Sequence, residues 1–566
     1  MRNYSKIFTF IACISFSVLS LSGCNASSNA KSNDTIDTKF PELNSDIARM
    51  VTNSSVLGQF YKQNDYNPLW IEKEPKFSKI KDVLSIFDES YTHGLTPEMF
   101  NRSAIQQIAD SISNEFYIWE DYVSVAVRLE LMLSESVIKY STIMQFGYLN
   151  PQTLFPDEYH IDIRQPDSLH YCEIFKQLQN DPIAHLVSAQ PKDRVYLKMQ
   201  EDLLKWQNLK NSSFTAITEK GKNLVYKLNE KHKTMSDLAY RLSLSGDFAP
   251  SDTLNDVLSA ELLDAVNRFR KINSHPESQE VDKLVIDALN RPFDHYYRKT
   301  LANLERYRWK RVLPAAEGKN IEVNVAGAYL VADDKENPLT MKVCVGKRST
   351  RTPLMQNNIS YLNFNPYWNV PKSIAQDEIC LIMKRDSAYI RKHNMRLFKD
   401  GQEVDHATID WQSQNCKRFY YLIRQEPGDY NSLGRIKFMF PNKFSVYLHD
   451  TPSKLTFKRK NRAVSHGCVR VEHPIDLAFF CTSATDPVYQ DRIRHTIDRR
   501  PVSKEGIALL KKESLKKLDD ILNLRVKIPV SIDYHTTYML PNDDTLYFAD
   551  DVYGYDDIII KNLTEI

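Results

Sequence analysis

The hydrophobic pattern changes period near residue 320, and that switch divides the 566 residues into a helical part and a strand-built part. Between about 45 and 240 the period is helical. Val125, Leu129, Met132, Leu133, Ser136 and Val137 recur at three- and four-residue spacing and form one stripe. Gly94-Leu95-Thr96-Pro97 ends one helix and starts another, and Asn150-Pro151-Gln152 makes a turn. A smaller helical unit covers 235–295, with Leu262, Leu263, Val266 and Phe269 followed by Val281, Leu284, Val285, Ala288 and Leu289. Past 320, Ile321, Val323 and Val325 alternate with Glu322 and Asn324, the mark of a half-buried strand. Further strands fit 341–346, 361–364, 420–424, 436–440 and 445–448, with a polar turn at 333–338. An insert at 371–418 is more helical and polar, with Ile379, Met383 and Ile390 as its periodic apolar positions. It predicts a lid over one end of a mostly antiparallel sheet. The C-terminal residues predict an amphipathic helix at 503–523 and a hairpin around Pro541-Asn542-Asp543-Asp544. The fold class is α+β and multidomain, as the length also demands.

The 74 Lys+Arg balance 72 Asp+Glu to a net +2, so no polyanion partner and no nucleic acid is expected. The N-terminus carries Arg2 and Lys6 ahead of an apolar run from Ile7 to Leu21, too short to span a bilayer comfortably and ending in Leu21-Ser22-Gly23-Cys24. This is a secretory signal over 1–23. Its end resembles a lipobox, which implies that Cys24 is lipidated and that 24–44 is a tether to a membrane contacted through lipid only. By resemblance to enteric lipoproteins, Asn25 in place of Asp favours the outer membrane. The expected location is the periplasmic cell envelope. Export means an oxidising compartment. Without Cys13 and Cys24 the remaining cysteines are Cys172, Cys344, Cys380, Cys416, Cys468 and Cys481, none in a Cys-x-x-Cys pair. With Cys468 free an odd number is left, so disulfides are not expected to organise the fold.

The densest chemical signal is Ser465-His466-Gly467-Cys468-Val469-Arg470-Val471, nineteen residues after His449 in Tyr447-Leu448-His449-Asp450-Thr451-Pro452. A thiolate is the attacking species and a free thiol has a pKa near ~8.5, so an imidazole must take its proton. His449 can do so if its strand lies beside the Cys468 loop. Tyr447 and His449 are two apart and share a strand face. Gly467 permits a sharp turn that exposes the sulfur and aims backbone N–H groups, those of Gly467 and Cys468 first, at an oxyanion. Pro474 starts a helix with Asp476 in its first turn. Zinc on His449, His466, Cys468 and His473 is disfavoured, because no second short-spaced ligand pair exists and ligation would quench the thiolate. No cofactor is needed. The run Lys454, Lys458, Arg459, Lys460 and Arg462 is a solvated loop or an attractor of acidic peptides.

His449 followed by Ser465-His466-Gly467-Cys468 is similar to the signature of L,D-transpeptidases. Asn365-Pro366-Tyr367-Trp368-Asn369-Val370-Pro371, Gly428-Asp429-Tyr430-Asn431-Ser432-Leu433-Gly434-Arg435 and Tyr66-Asn67-Pro68-Leu69-Trp70 resemble the large subtype with helical scaffold, wall-binding module and lidded catalytic domain. The resemblance implies a scaffold over 45–234 and a peptidoglycan-binding-like module over 235–295. The module lacks the usual Gly-rich turn, with Ile272-Asn273-Ser274-His275-Pro276-Glu277 in its place. A catalytic domain over 296–500 is completed by 501–566. It implies Cys468 as nucleophile, His449 as base, and the carbonyl of Gly467 or a neighbour orienting the imidazole. Ser465 and His466 shape the loop, Tyr447 the substrate wall, Arg470 contacts a carboxylate or braces the loop, and Trp368 lines the groove under the lid. The implied activity joins peptidoglycan stem peptides by 3→3 cross-links through a Cys thioester. Hydrolysis by the same site, attachment of a protein Lys to the wall, and a non-catalytic wall-binding lipoprotein are the alternatives. Cell-wall synthesis partners would meet the helical scaffold.

Overall fold

The computed structural model describes residues 41–52, 55–71, 78–114, 119–222, 224–249, 256–309, 311 and 318–564. The signal, the lipobox Cys24 and most of the tether lie outside them. Among the described residues no helix is long and apolar enough to cross a membrane. The stripe read at 125–137 belongs to a 28-residue helix, Trp119–Phe146. It buries Leu129, Leu133 and Val137 against Phe60, Tyr61, Phe87 and Phe100. On that buried face sits a carboxylate. Glu130 accepts the backbone N–H groups of Leu69, Trp70 and Ile71 at 2.6, 2.9 and 3.1 Å and the Tyr61 hydroxyl at 2.7 Å. Burial raises its pKa and these donors oppose the rise. The Asn67-Pro68-Leu69-Trp70 segment is thus pinned to the middle of the longest helix.

A second helical core gathers Tyr196, Met199, Leu203 and Trp206 of helix Arg194–Leu209, Leu262, Val266 and Phe269 of helix Ala260–Ile272, and Phe293 and Tyr296 of helix Phe293–Arg308. The Arg194–Leu209 helix thus packs its apolar face with the smaller module, while its Tyr196 hydroxyl and Gln200 amide also reach His93 of the first helical region at 3.0 and 3.2 Å. Its 196, 199, 203, 206 spacing turns one apolar face to helix Phe293–Arg308.

The strand-built part is a closed ring. In chain order its strands are β1 (Asn320–Asn324), β2 (Tyr329–Asp333), β3 (Leu339–Gly346), β4 (Leu354–Phe364), β5 (Ile436–Met439), β6 (Leu448–His449), β7 (Val469–Val471) and β8 (Ile521–Asp533). Pairing runs β4-β5-β6-β7-β3-β2-β1-β8, and β8 pairs β4 as well as β1, so neither is left as an open edge. Pairing is antiparallel except at β6/β7 and β8/β1. Alternate residues such as Val323, Leu330, Val343, Ile359, Phe438, Leu448, Val469 and Val530 fill the interior. The expected helix at 503–523 is corrected. The helix is Lys504–Lys511, Glu513 turns left-handed at φ 54°, and the chain enters β8. Ile528, Val530 and Ile532 carry a period of two that only a strand can bury on one side. The expected hairpin at 541–544 joins Thr537–Tyr538 to Tyr547–Phe548.

The insert is not purely helical. Helical turns from Lys372 to Met383 cover a four-stranded sheet ordered Gln402–Val404, Met395–Lys399, Leu422–Gln425, Trp368–Asn369. Ile379, Met383, Leu397, Trp411 and Ile423 make its own core, and a Cys380–Cys416 disulfide crosses it. Met395, Leu397 and Ile423 face one way at a strand's period, which the surrounding polar residues mask in sequence.

Glu130→Ala leaves three buried N–H groups without an acceptor. It should lower the unfolding free energy of the helical region by about 3–5 kcal/mol, read by urea unfolding, whereas Glu130→Gln, which keeps one carbonyl acceptor, should cost less. An unchanged midpoint for Glu130→Ala would refute the clamp.

Candidate active site

Strand β6 is two residues long and lies between β5 and β7. Lys437 pairs with His449 and Phe438 with Leu448 on one side; on the other Leu448 pairs with Val469 and His449 with Arg470. Because Phe438, Leu448 and Val469 point into the core, Lys437, His449 and Arg470 share the opposite face. Tyr447 and Cys468, two residues earlier on each strand, continue that face. The Val469 N–H donates to the Tyr447 carbonyl at 3.1 Å, the Tyr447 and Cys468 side chains interact electrostatically, and the Tyr447 and His449 rings lie 5.7 Å apart edge to face. Cys468 and His449 are diagonal neighbours on adjacent strands, a separation of about 7–8 Å between backbones that their side chains can bridge.

His449 is 4% exposed. Its Nδ1 faces the Asp450 carbonyl at 2.5 Å, which assigns the proton to Nδ1 and leaves Nε2 as the base. Asp450 is itself held. Its carboxylate accepts the Arg435 and Thr451 N–H groups at 2.9 and 2.7 Å and the Lys454 ammonium at 2.7 Å. Gly434, at φ 61°, is required next to it, since a Cβ there would collide with that carboxylate. Burial, Arg470 and Lys437 depress the imidazole to about 3, with the Asp450 contact opposing. Burial also raises the Cys468 thiol, against the Tyr447 hydrogen bonds and the cations Lys437 and Arg470. The Lys437 ammonium sits 4.0 Å over the Tyr447 ring, and burial lowers its pKa. Both depression of the imidazole and elevation of the thiol favour a resting pair that is neutral on each side.

The Ser465–Cys468 loop is held by side-chain hydrogen bonds to its backbone. Gly467 adopts φ 115°, open only to glycine without strain. Its N–H donates to Ser465 Oγ at 3.2 Å and its carbonyl accepts Thr352 Oγ1 at 2.9 Å. Of the two carbonyls the sequence left open, Gly467 or a neighbouring backbone group, the one that faces His449 is the neighbouring Asp450, and the Gly467 N–H donates within the loop. Among the described residues no acceptor meets the Cys468 N–H. Ser465, 2% exposed, donates to the Cys468 carbonyl at 2.6 Å and acts within the loop rather than on its surface. Cys468 Sγ lies 3.8 Å from the Ser445 carbonyl, so reaching His449 requires a turn about its side-chain bond. His466 leaves the loop for the lid, where Nε2 meets Glu378 at 2.6 Å. Arg470 is half-buried, its Nε has no partner and no carboxylate pairs with it among the described residues. Trp368 stands on a lid strand, opposite Gln425, and packs on the lid core. Among the described residues no group of three His, Cys, Asp or Glu could hold a metal.

Sequence reasoning missed Lys437, Glu378, Thr352 and Tyr553. Lys437 was findable as the outward residue of an expected strand. Thr352 and Tyr553 were not, because their effect is relayed through space: the Thr352 N–H donates to the Tyr553 hydroxyl at 3.0 Å, which donates to the Gly346 carbonyl at 2.7 Å.

Comparison with known proteins agrees with this geometry. Residues 318–489 match the model of the L,D-transpeptidase catalytic domain and residues 55–203 that of a scaffold domain. A Haemophilus influenzae protein named as a candidate L,D-transpeptidase is 37% identical over 227 residues, 40% of this chain. The matched stretch spans 45% of that relative's length. A solved L,D-transpeptidase from Xylanimonas cellulosilytica (residues 123–326) aligns at 12% identity over 47% of this chain and 96% of its own, with a TM-score of 0.16. The Ldtfm-avibactam carbamoyl enzyme aligns at 10% over 59% and 98%, also at 0.16. Superpositions that poor carry no weight.

A neutral resting thiol predicts that iodoacetamide labels Cys468 at a rate still climbing through pH 9. Lys437→Met, which removes a cation that favours the thiolate, should move the curve to higher pH. Mass spectrometry of the labelled peptide checks both. A plateau already reached below pH 7 would mean a preformed thiolate–imidazolium pair and would contradict the electrostatics above.

Proposed function

From a chain that carries an L,D-transpeptidase catalytic domain over residues 318–489 behind a scaffold domain over 55–203, we infer that the protein as a whole is a lipid-anchored envelope enzyme that makes 3→3 cross-links between peptidoglycan stem peptides. The observation that carries this reading is the shared face of β6 and β7, which sets Cys468, Tyr447, His449 and Arg470 side by side.

The chemistry follows from those groups. Cys468 turns from the Ser445 carbonyl toward His449, whose Nε2 takes the thiol proton as sulfur attacks the carbonyl between the third stem residue and the terminal D-Ala. The Cys468 N–H and the Tyr447 hydroxyl stabilise the oxyanion, and Lys437 adds positive charge. His449 returns the proton to the leaving amine of D-Ala, and a thioester remains. An amine from a second stem's third residue attacks the thioester, gives up a proton to His449, and restores the thiol. The peptide-bond energy is conserved in the thioester, so no nucleotide or metal enters. A neutral resting pair means that the proton moves as sulfur attacks, which suits a site drained of water by a lid. Arg470, an unpaired cation on the same face, suits a stem-peptide carboxylate. The disulfide in the lid supports an oxidising, exported setting, and the lid's Glu378 contact on His466 places it over the nucleophile loop.

Purified protein given disaccharide tetrapeptides should yield cross-linked dimers by mass spectrometry, Cys468→Ala should yield none, and His449→Ala should lose about 10²-fold or more in rate. Tripeptide without dimer would replace transfer by hydrolysis; dimers persisting in Cys468→Ala would end the assignment.

A further inference from the structure

Far from the nucleophile, the helical core around the small module encloses a cavity of about 210 Å³. Five parts of the chain wall it: helix Arg194–Leu209 supplies Asp202 and Trp206, helix Thr234–Leu244 and the turn after it supply Arg241 and Asp247, helix Ala260–Ile272 supplies Phe269, helix Phe293–Arg308 supplies Tyr296, and the hairpin strand Tyr547–Phe548 supplies Phe548. Two of its polar groups are unsatisfied. Arg241 is fully buried; its Nε donates to the Leu289 carbonyl and its Nη1 to Ser245, but among the described residues Nη2 meets no acceptor. Trp206 is 5% exposed and its indole N–H likewise meets none. Leaving a buried donor unpaired costs roughly 1–3 kcal/mol, more for a charged group, so two on one cavity wall mark a place built to receive acceptor atoms.

The same wall holds carboxylates. Asp247 accepts the Ser245 hydroxyl at 2.5 Å, and the nearest cation to Asp202 is Lys198 at 3.9 Å. Burial raises the pKa of both, against the nearby cations Lys205 and Lys198 for Asp202 and Lys205, Arg241 and Arg268 for Asp247. The cavity thus presents one cationic and one neutral N–H donor without acceptors and two carboxylates, with Lys198 and Lys205 also on its wall. Its volume is below the roughly 300 Å³ at which drug-sized pockets begin, so an oligosaccharide or peptide is too large. A sugar ring would also want an open aromatic face, and the Trp206 ring is already covered by Tyr296, stacked at 4.8 Å, and by the Lys205 ammonium at 4.4 Å.

We propose that this cavity binds a free amino acid of small side chain, with its carboxylate on Arg241 and the Trp206 N–H and its ammonium group on Asp202 and Asp247. The site joins the module to the C-terminal hairpin, so an occupant bridges two parts of the chain that are distant in sequence. It does not depend on the reaction assigned to Cys468.

Isothermal titration of the full chain with D-alanine, L-alanine and glycine tests it, with acetate, methylamine and N-acetylglucosamine as partial or rival probes. At least one amino acid should saturate, while acetate and methylamine, each offering half of the recognition, bind about tenfold more weakly or not at all. Trp206→Phe keeps the ring and loses only the N–H. Asp202→Asn is a half-buried change that keeps the shape. Each should weaken binding about tenfold with an unfolding midpoint near that of the parent chain. Absence of saturation by all three amino acids up to ~50 mM, equal affinity in both variants, or preference for N-acetylglucosamine would each overturn the site.

Discussion

The geometry of the candidate active site depends on one short parallel pairing, β6 against β7. Two residues of β6 are enough to settle which side chains meet, because strand parity is absolute: Leu448 and Val469 go into the barrel, so His449 and Arg470 must come out. A slip of one residue would bury the imidazole in the core and expose leucine in its place. The short strand cannot hold that register alone. Lys437 and Phe438 of β5 secure it on one side, Cys344 of β3 secures β7 on the other, and β8 closes the ring so that no edge is left free to shift.

Around that pairing the electrostatics have a single direction. Lys437 and Arg470 flank His449 with positive charge, the Asp450 carbonyl fixes its tautomer, and burial strips water from the imidazole while the thiol stays partly exposed. Cations beside a dry imidazole keep it neutral and able to accept a proton, and the same cations would stabilise a sulfur anion or an oxyanion formed beside them. The carboxylate of Asp450, tied to Arg435 and Lys454, lets one residue position the base by its backbone and the Asn431–Arg435 turn by its side chain.

The nucleophile loop is held from beyond the stretch that carries its motif. Thr352 grips the Gly467 carbonyl, and Tyr553, from the last segment of the chain, grips Thr352 and Gly346. That contact explains physically why the strand and helix after residue 500 belong with the catalytic fold. The lid reaches the same loop from the other side through Glu378 on His466. Glu130 plays a comparable part in the helical region, where one buried carboxylate organises three consecutive N–H groups.

Local pattern was enough for whatever depends on neighbours in the chain. The change of period separated helices from strands, Ser465-His466-Gly467-Cys468 marked a sharp glycine turn, and the two-residue spacing of Tyr447 and His449 put them on one face. It failed where an element's period was masked or shared. The helix was carried too far, to 523, although Leu522, Leu524, Val526, Ile528, Val530 and Ile532 already alternate with polar residues, and the lid looked helical because its few strand residues are scattered among charges. Residue order could also name His449 and Cys468 without bringing them together, and it left open which backbone carbonyl, that of Gly467 or of a neighbour, faces the imidazole. Which strands lie side by side, which carbonyl faces an imidazole, and which buried arginine keeps a free N–H are properties of packing among segments hundreds of residues apart. Hydrogen bonds and charges act over a few ångströms of space, whatever the distance along the chain.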